Sequence, residues 1–476
     1  MTTWCQCRVC GCLVLVLLAV PPLAAAEPAK NEPGPSNPVG WRGDGTGRYE
    51  GVAPPTAWSP KGNVAWKVGM PSASNASPIL VGDRVFVCAE PSTLLCVSAA
   101  DGEILWQQAI RYEDLLTAEQ RELADRDAAK AAEIHKELKG PADEYKKLRR
   151  QSRKSPDDEA IKKRIEELKK EIAEIKKGLE GLDRYQRPRT HKTNGYASPT
   201  PTSDGEHVYV LYGTGVAACY ELDGTRVWAR VVEKPTHGWG HSSSPLLAGG
   251  RLVLHIRNLY GLDPATGEPA WQVETRPRWG SPVRTEIDGA DVVVTANGDV
   301  VRAADGFVIA QKIGKLEYAA PIVHEGVAYF IEHGGVAMRL PDKADGSEKP
   351  ELLWKTQPRK ERYYASVVHH DGLLYAIMQK GVLSVIDAAS GVVVYEKEPE
   401  LGKGTVYPSP ALAGGYVYVS GEGGGTVVLQ PGRQYREVAR NRLEAFRSSP
   451  VFRGGRMYVR ARTNLYCVGQ QPVSRE

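Results

Sequence analysis

Across most of the chain, short apolar runs alternate with glycine, proline and acidic turn residues, and the runs are too brief for helices. Val85-Phe86-Val87, His207-Val208-Tyr209-Val210 and Tyr416-Val417-Tyr418-Val419 each follow a glycine that follows another apolar run. Glycine between two β-rich runs predicts a tight hairpin. The hairpins recur. Inner runs begin at Ser77-Pro78, Ser198-Pro199, Ser244-Pro245, Ser281-Pro282, Ala320-Pro321, Ser366-Val367, Ser409-Pro410 and Ser449-Pro450, with second members 121, 46, 37, 39, 46, 43 and 40 residues apart. A third run ends in Asp-Gly or Asp-x-x-x-Gly at Asp101-Gly102, Asp223-Gly224, Asp263 to Gly267, Asp305-Gly306 and Asp387 to Gly391. Several units close on an aromatic: Trp106, Trp228, Trp271, Trp354 and Tyr395. Four strands in about 40 residues, repeated, predict the blades of a β-propeller. The fold class is therefore all-β, an eight-bladed propeller. The eighth unit lacks its outer strand after Leu465 to Val468, whereas Asn63 to Val68 carries an unpaired copy with Trp66. The ring is expected to close by this N-terminal strand, which removes an open sheet edge.

The first interval exceeds the rest because 111–192 is inserted, and there the periodicity changes. Ile161, Ile165, Leu168, Ile172, Ile175, Leu179 and Leu182 step by four and three, which puts them on one seam of a helix. Ser155, followed by Pro156, Asp157 and Asp158, predicts a helix start, and Thr117 with Gln120 a capping box. An antiparallel helical hairpin follows, turning within 151–156. Lys146, Lys147, Arg149, Arg150, Arg153 and Lys154 make its tip basic, and the hairpin is expected to add a contact surface.

At the N-terminus Arg8 precedes an apolar run from Leu13 to Val20, then Pro21, Pro22 and Ala24-Ala25-Ala26. That layout predicts a secretory signal peptide cleaved after Ala26, and hence a periplasmic or secreted chain with no transmembrane segment once mature. The organisation reads as 1–26 signal peptide, 27–62 Pro/Gly-rich extension, 63–110 closing strand and blade 1, 111–192 hairpin, 193–470 blades 2 to 8 and 471–476 tail. Cys5, Cys7, Cys10 and Cys12 leave with the leader. Of the remaining cysteines, Cys88 and Cys96 would form a bridge only if a hairpin brings them together, and Cys219 with Cys467 stay apart. With 61 basic and 57 acidic side chains the net charge is +4, too small to argue for a nucleic-acid partner.

The pattern Ser-Pro, Gly, strand, Asp-x-x-Thr-Gly-Glu, Trp, fullest at Asp263 to Trp271, resembles the PQQ-type propeller repeat of quinoprotein dehydrogenases and of the outer-membrane assembly lipoprotein BamB. The segments Trp41-Arg42-Gly43-Asp44-Gly45-Thr46-Gly47, Pro54 to Ser59 and Asn63 to Trp66 look like the entry of secreted bacterial PQQ-like propeller proteins. The resemblance covers nearly all of 41–470 outside the insertion. It implies the fold strongly and an activity weakly, since these repeats serve enzymes and scaffolds alike. A dehydrogenase would need PQQ, a Ca²⁺ held by oxygen ligands and an Asp base, and the resemblance adds a vicinal disulfide. No two cysteines are adjacent, and the repeat aspartates fall in turns at the foot of the blades. No cofactor is therefore expected, and no metal.

In such repeats the Ser-Pro strand is innermost and descends from the top face. The position three before each Pro, or before Val367, reads Asn75, Tyr196, Ser242, Trp279, Tyr318, Tyr364, Tyr407 and Arg447. Trp239 and His241 lie nearby, as do Arg278, Glu317 and Arg362, and from loops Asn297, His333, Lys380 and Asn464. Tyr196, Trp239, His241, Trp279, Tyr318, Tyr364, Tyr407 and Arg447 are the candidate binding residues, an aromatic ring able to stack on a ligand or to fill the channel. His237 and His241 are four apart in a Gly-rich loop, which does not aim them at one metal. No catalytic set emerges. The expected function is a non-catalytic interaction scaffold for envelope proteins. The alternatives are a propeller that binds a sugar or quinone and a divergent PQQ-dependent dehydrogenase.

Overall fold

Every unit buries one antiparallel sheet against the sheets on either side, so the chain wraps into a ring. The computed structural model describes residues 1–2, 38–359 and 361–469; residues 3–26 of the predicted signal peptide, with the predicted cleavage position, and the predicted tail lie outside them. Among the described residues there are eight sheets. Blade 3 is typical: Leu246–Ala248, Arg251–His255, Leu259–Leu262 and Pro269–Val273 pair in order. In blade 8, Val451–Arg453, Arg456–Arg460 and Asn464–Val468 are completed by Val64–Gly69, with Trp66 opposite Cys467 and Lys67 opposite Tyr466. The predicted closure is what the structure shows.

Two repeated contacts between blades account for the sequence signals. On the outside, each tryptophan docks on the turn of the next blade. Trp66, Trp106, Trp228, Trp271 and Trp354 donate from Nε1 to the carbonyls of Ala99, Leu222, Pro264, Ala303 and Ala388. The turn glycines Gly102, Gly224, Gly267, Gly306 and Gly391 lie against the indole faces, where a Cβ would come within 3.0 Å of the ring. The preceding aspartates brace these turns, as where Asp223 accepts the Thr225 N–H at 2.8 Å and Asp263 the Ala265 N–H at 2.8 Å.

On the inside, a hydroxyl ring links the inner strands. The N–H groups of Ser77, Thr200, Ser244, Ser366, Ser409 and Ser449 donate to the hydroxyls of Thr200, Ser244, Ser281, Ser409, Ser449 and Ser77, all at 2.9–3.0 Å. The Ala320 N–H reaches Ser366 Oγ at 2.8 Å. The circuit breaks at one step, because Ala320 offers the Ser281 N–H a methyl group where its counterparts carry hydroxyls. Ala320→Ser supplies the missing acceptor and is expected to stabilise the protein by about 1 kcal/mol. The readout is a higher urea midpoint at unchanged slope; an unmoved midpoint would mean that the ring bonds carry no net stability. The ring also corrects a register. Blade 2 enters through Thr200-Pro201, not Ser198-Pro199: the hydroxyl steps are 123 and then 44 residues.

The N-terminal segment straps the bottom of the channel. Val39 pairs with Ser203 of blade 2, and Arg48–Tyr49 adds a parallel fifth strand to Ala411–Ala413 of blade 7. Ala53 then bonds Gly454 and Trp58 bonds Asn441. Between the first two anchors the Arg42 side chain is buried under the channel, donating from Nη2 to the carbonyls of Val367 and Pro410 at 2.9 Å each. Burial pulls its guanidinium down to about 10. Gly47 leaves room for it, since a Cβ there would overlap the guanidinium.

The insertion is a helical hairpin, α1 (Ala118–Ser152) and α2 (Glu159–Lys177). Thr117 and Gln120 form the capping box as expected. The second helix begins later than predicted: its cap is Asp158, whose carboxylate accepts the N–H groups of Ala160 and Ile161 at 3.1 Å, so Ser155 belongs to the turn. It also ends earlier, at Gly178, and Leu179 and Leu182 fall in following turns. Ile165 and Leu168 are buried in the seam, while Tyr112 and Leu116 anchor the base in the core of blades 1 and 2. Cys88 faces Leu94 and Cys96 faces Phe86; both are buried free thiols, as are Cys219 and Cys467.

Candidate functional site at the channel mouth

The inner strands descend from the top face, so the residues before them surround the upper end of the channel. A cavity of about 460 Å³ occupies it. Its floor is the hydroxyl ring with the Trp41 side chain from the strap, and its wall is an aromatic arc. Trp279 stacks on Tyr318 at 5.5 Å, Tyr318 meets Tyr364 edge-on at 4.9 Å and Tyr364 stacks on Tyr407 at 5.0 Å. The guanidinium of Arg447 ends the arc 4.8 Å over Tyr407, and His237 starts it, edge-on to Trp279 at 4.8 Å. These rings meet because consecutive blades present the same position, three residues before the Pro, or Val367, that leads into the inner strand. Burial raises the phenol pKa values of Tyr318 and Tyr407, so both remain protonated donors.

The other side of the mouth is filled by the leg that returns from the hairpin. The carbonyl of Thr193 accepts from Asn75 Nδ2 at 2.9 Å and from Arg447 Nη1 at 2.8 Å, and that of Asn194 accepts from Asn75 at 3.0 Å. Arg447 is also paired with Glu422 at 2.9 Å. Trp239 stands at the rim, 51% exposed, with one face on His191 at 3.9 Å. The hairpin therefore leaves from the top face, and its return leg narrows the mouth to a crescent.

Of the predicted residues, Trp239, Trp279, Tyr318, Tyr364, Tyr407 and Arg447 line this cavity. Tyr196 and His241 do not. Tyr196 followed from the Ser198-Pro199 register; Ser198 occupies the mouth position, and the Tyr196 hydroxyl bonds the Pro188 carbonyl at 2.8 Å. Its N–H and that of Ala197 are held by the Glu90 carboxylate, as the buried Glu332 carboxylate holds those of Glu317, Tyr318 and Ala319. Burial raises both carboxyls above their usual range despite these bonds. His241 is buried beneath the mouth, pushed down to about 3 by burial and then by His255, and does not meet His237. Asn297 and His333 line a separate cleft, and Lys380 another. The floor and the return leg escaped the sequence reading. Trp41 and Arg42 were visible only as a likeness to other entry segments, and nothing in Thr193-Asn194 marks a plug.

The lining does not suit a calcium-bound quinone. Glu317 is its one carboxylate, beside two arginines, whereas Ca²⁺ takes six to eight oxygen ligands, carboxylates prominent among them. Among the described residues no group of three or more His, Cys, Asp or Glu side chains is placed to hold a metal ion. Within the arc a planar ring does not fit between neighbours: insertion between two aromatic faces needs roughly 7 Å, twice a ~3.5 Å contact, and the neighbouring centroids are 4.9–5.5 Å apart.

Eight radial sheets, the docking tryptophans and the Ser-Pro inner strands define a propeller of the PQQ-repeat class. The family model described as outer membrane protein assembly factor BamB matches residues 53–133 and 186–395, more than half of the chain, and the chain belongs to that family. The unmatched interval between these stretches lies within the hairpin insertion. BamB of Yersinia pestis is 25% identical over 287 residues, covering 55% of this chain and 68% of that protein. Among solved structures, BamB from Moraxella catarrhalis superposes with a TM-score of 0.52 at 10% identity, over 86% of this chain and 98% of that one. The quinohemoprotein alcohol dehydrogenase ADHIIG from Pseudomonas putida HK5 superposes at 0.54 and 11% identity, over 89% and 79%. These two structural likenesses concern the fold.

Proposed function

We propose that the protein is a non-catalytic interaction scaffold of the cell envelope, holding partner proteins on the propeller and its hairpin without PQQ. The observation that carries this reading is the mouth itself: the place where a cofactor would enter is half filled by the chain's own return leg and lined by a single carboxylate. The match to BamB supports an envelope setting, as does the layout of the leader. Incubation with PQQ and Ca²⁺ followed by desalting is expected to leave no quinone absorbance and no dye reduction with alcohols or sugars. Retained quinone with turnover would replace the scaffold by a dehydrogenase. Cross-linking in envelope extracts, with 111–192 deleted as the comparison, then identifies what the hairpin contributes to partner capture.

A further inference from the structure

The hydroxyl ring does more than join blades. Each of its seven hydroxyls accepts one backbone N–H, and each lines the mouth cavity. A serine or threonine hydroxyl that accepts one bond still has its own proton to donate and a second lone pair. Among the described residues none of the seven donates to a protein acceptor, so seven O–H groups converge on one space. The Ser281 N–H, left without a hydroxyl partner by Ala320, adds to them.

The charges around this floor cancel. Arg447 is neutralised by Glu422, and Glu317 and Arg362 share the rim. The rings of the arc pack on one another, Trp279 on Tyr318 and Tyr364 on Tyr407 face to face and Tyr318 on Tyr364 edge-on. The indole of Trp239 stands half exposed at the entrance, with His191 packed against it. A cavity of about 460 Å³ falls within the roughly 300–1,000 Å³ of small-molecule sites. A floor of hydroxyls, no net charge and an exposed apolar platform at the rim together select a ligand that is uncharged, rich in hydroxyls and apolar on one face.

We infer that the channel mouth binds a neutral saccharide, one sugar unit seated over the hydroxyl ring and the next against Trp239. The inference stands apart from the scaffold reading, since it concerns the purified chain with no partner protein. It is tested by isothermal titration and saturation-transfer NMR with maltotriose, cellotriose and the trimer of N-acetylglucosamine. At least one is expected to bind saturably. Trp239→Ala, at a half-exposed position, should weaken it about tenfold or more, a change of about 1.4 kcal/mol, and Ala320→Leu, which fills the floor, should abolish it. If none of the three binds, or if binding is unaltered in Trp239→Ala, the site is not a saccharide site. Should Ala320→Leu fail to fold, the Trp239→Ala comparison decides alone.

Discussion

Gly267→Ala is expected to destabilise the propeller by about 3 kcal/mol or more, although it adds one methyl group in a surface turn. Two penalties coincide there. The residue has φ +73°, where a side chain costs about 1–2 kcal/mol. The new Cβ would also lie 2.7 Å from the Trp228 ring, and a rigid indole cannot yield as a flexible side chain would. Pushing it away is an overpacking cost of about 1–3 kcal/mol and weakens the 2.7 Å bond from Trp228 Nε1 to the Pro264 carbonyl. Gly289→Ala separates the terms: Gly289 has φ +72°, but nothing lies within 4 Å of its Cβ position. That variant should lose only the backbone share. Equal urea midpoints for the two variants would show that the indole contact is not what joins blade 2 to blade 3.

The same contact explains why so much of the fold was legible. The Asp-Gly turn and the terminal tryptophan are two halves of one joint between successive blades, so each leaves its own repeated mark in the chain. A position used by several blades is printed several times, and the aromatic arc of Trp279, Tyr318, Tyr364 and Tyr407 could be found by counting back from the inner strand. Features used once have no such redundancy. Ser198-Pro199 and Thr200-Pro201 look alike as dipeptides, and the hydrogen bonds that Thr200 makes with Ser77 and Ser244 distinguish them. The same slip brought Tyr196 into the predicted site. His241 was near the mouth in sequence, but its loop turns it under the rim. The hairpin was visible because its apolar period differs from that of strands. Its ends were less so, since Asp158 and Ser155 are both good caps and the choice between them depends on which carboxylate or hydroxyl reaches the first free N–H groups.

Closure carries the other large effect. A chain that starts at Met70 lacks the strap and the last strand of blade 8, and is expected to yield no soluble folded monomer. Three losses combine. The strand Asn464–Val468 becomes an open edge, a template for pairing with another copy. Trp66 disappears from its dock on blade 1, and losing a buried tryptophan side chain costs about 3–5 kcal/mol. The channel loses Trp41 and Arg42, which leaves the carbonyls of Val367 and Pro410 without their donor. Against a total stability of about 5–15 kcal/mol for a typical domain, the sum is decisive. A chain starting at Asn63 keeps the closing strand and loses only the strap. It should remain a folded monomer with a lowered melting temperature, because the ring is still sealed between Val64–Gly69 and Asn464–Val468. Size-exclusion chromatography and near-ultraviolet circular dichroism distinguish the two. If the Met70 chain eluted as a monomer with native aromatic signals, seven complete blades and a three-stranded eighth would hold together without the seal, and the N-terminal strand would have to be regarded as an accessory of the ring.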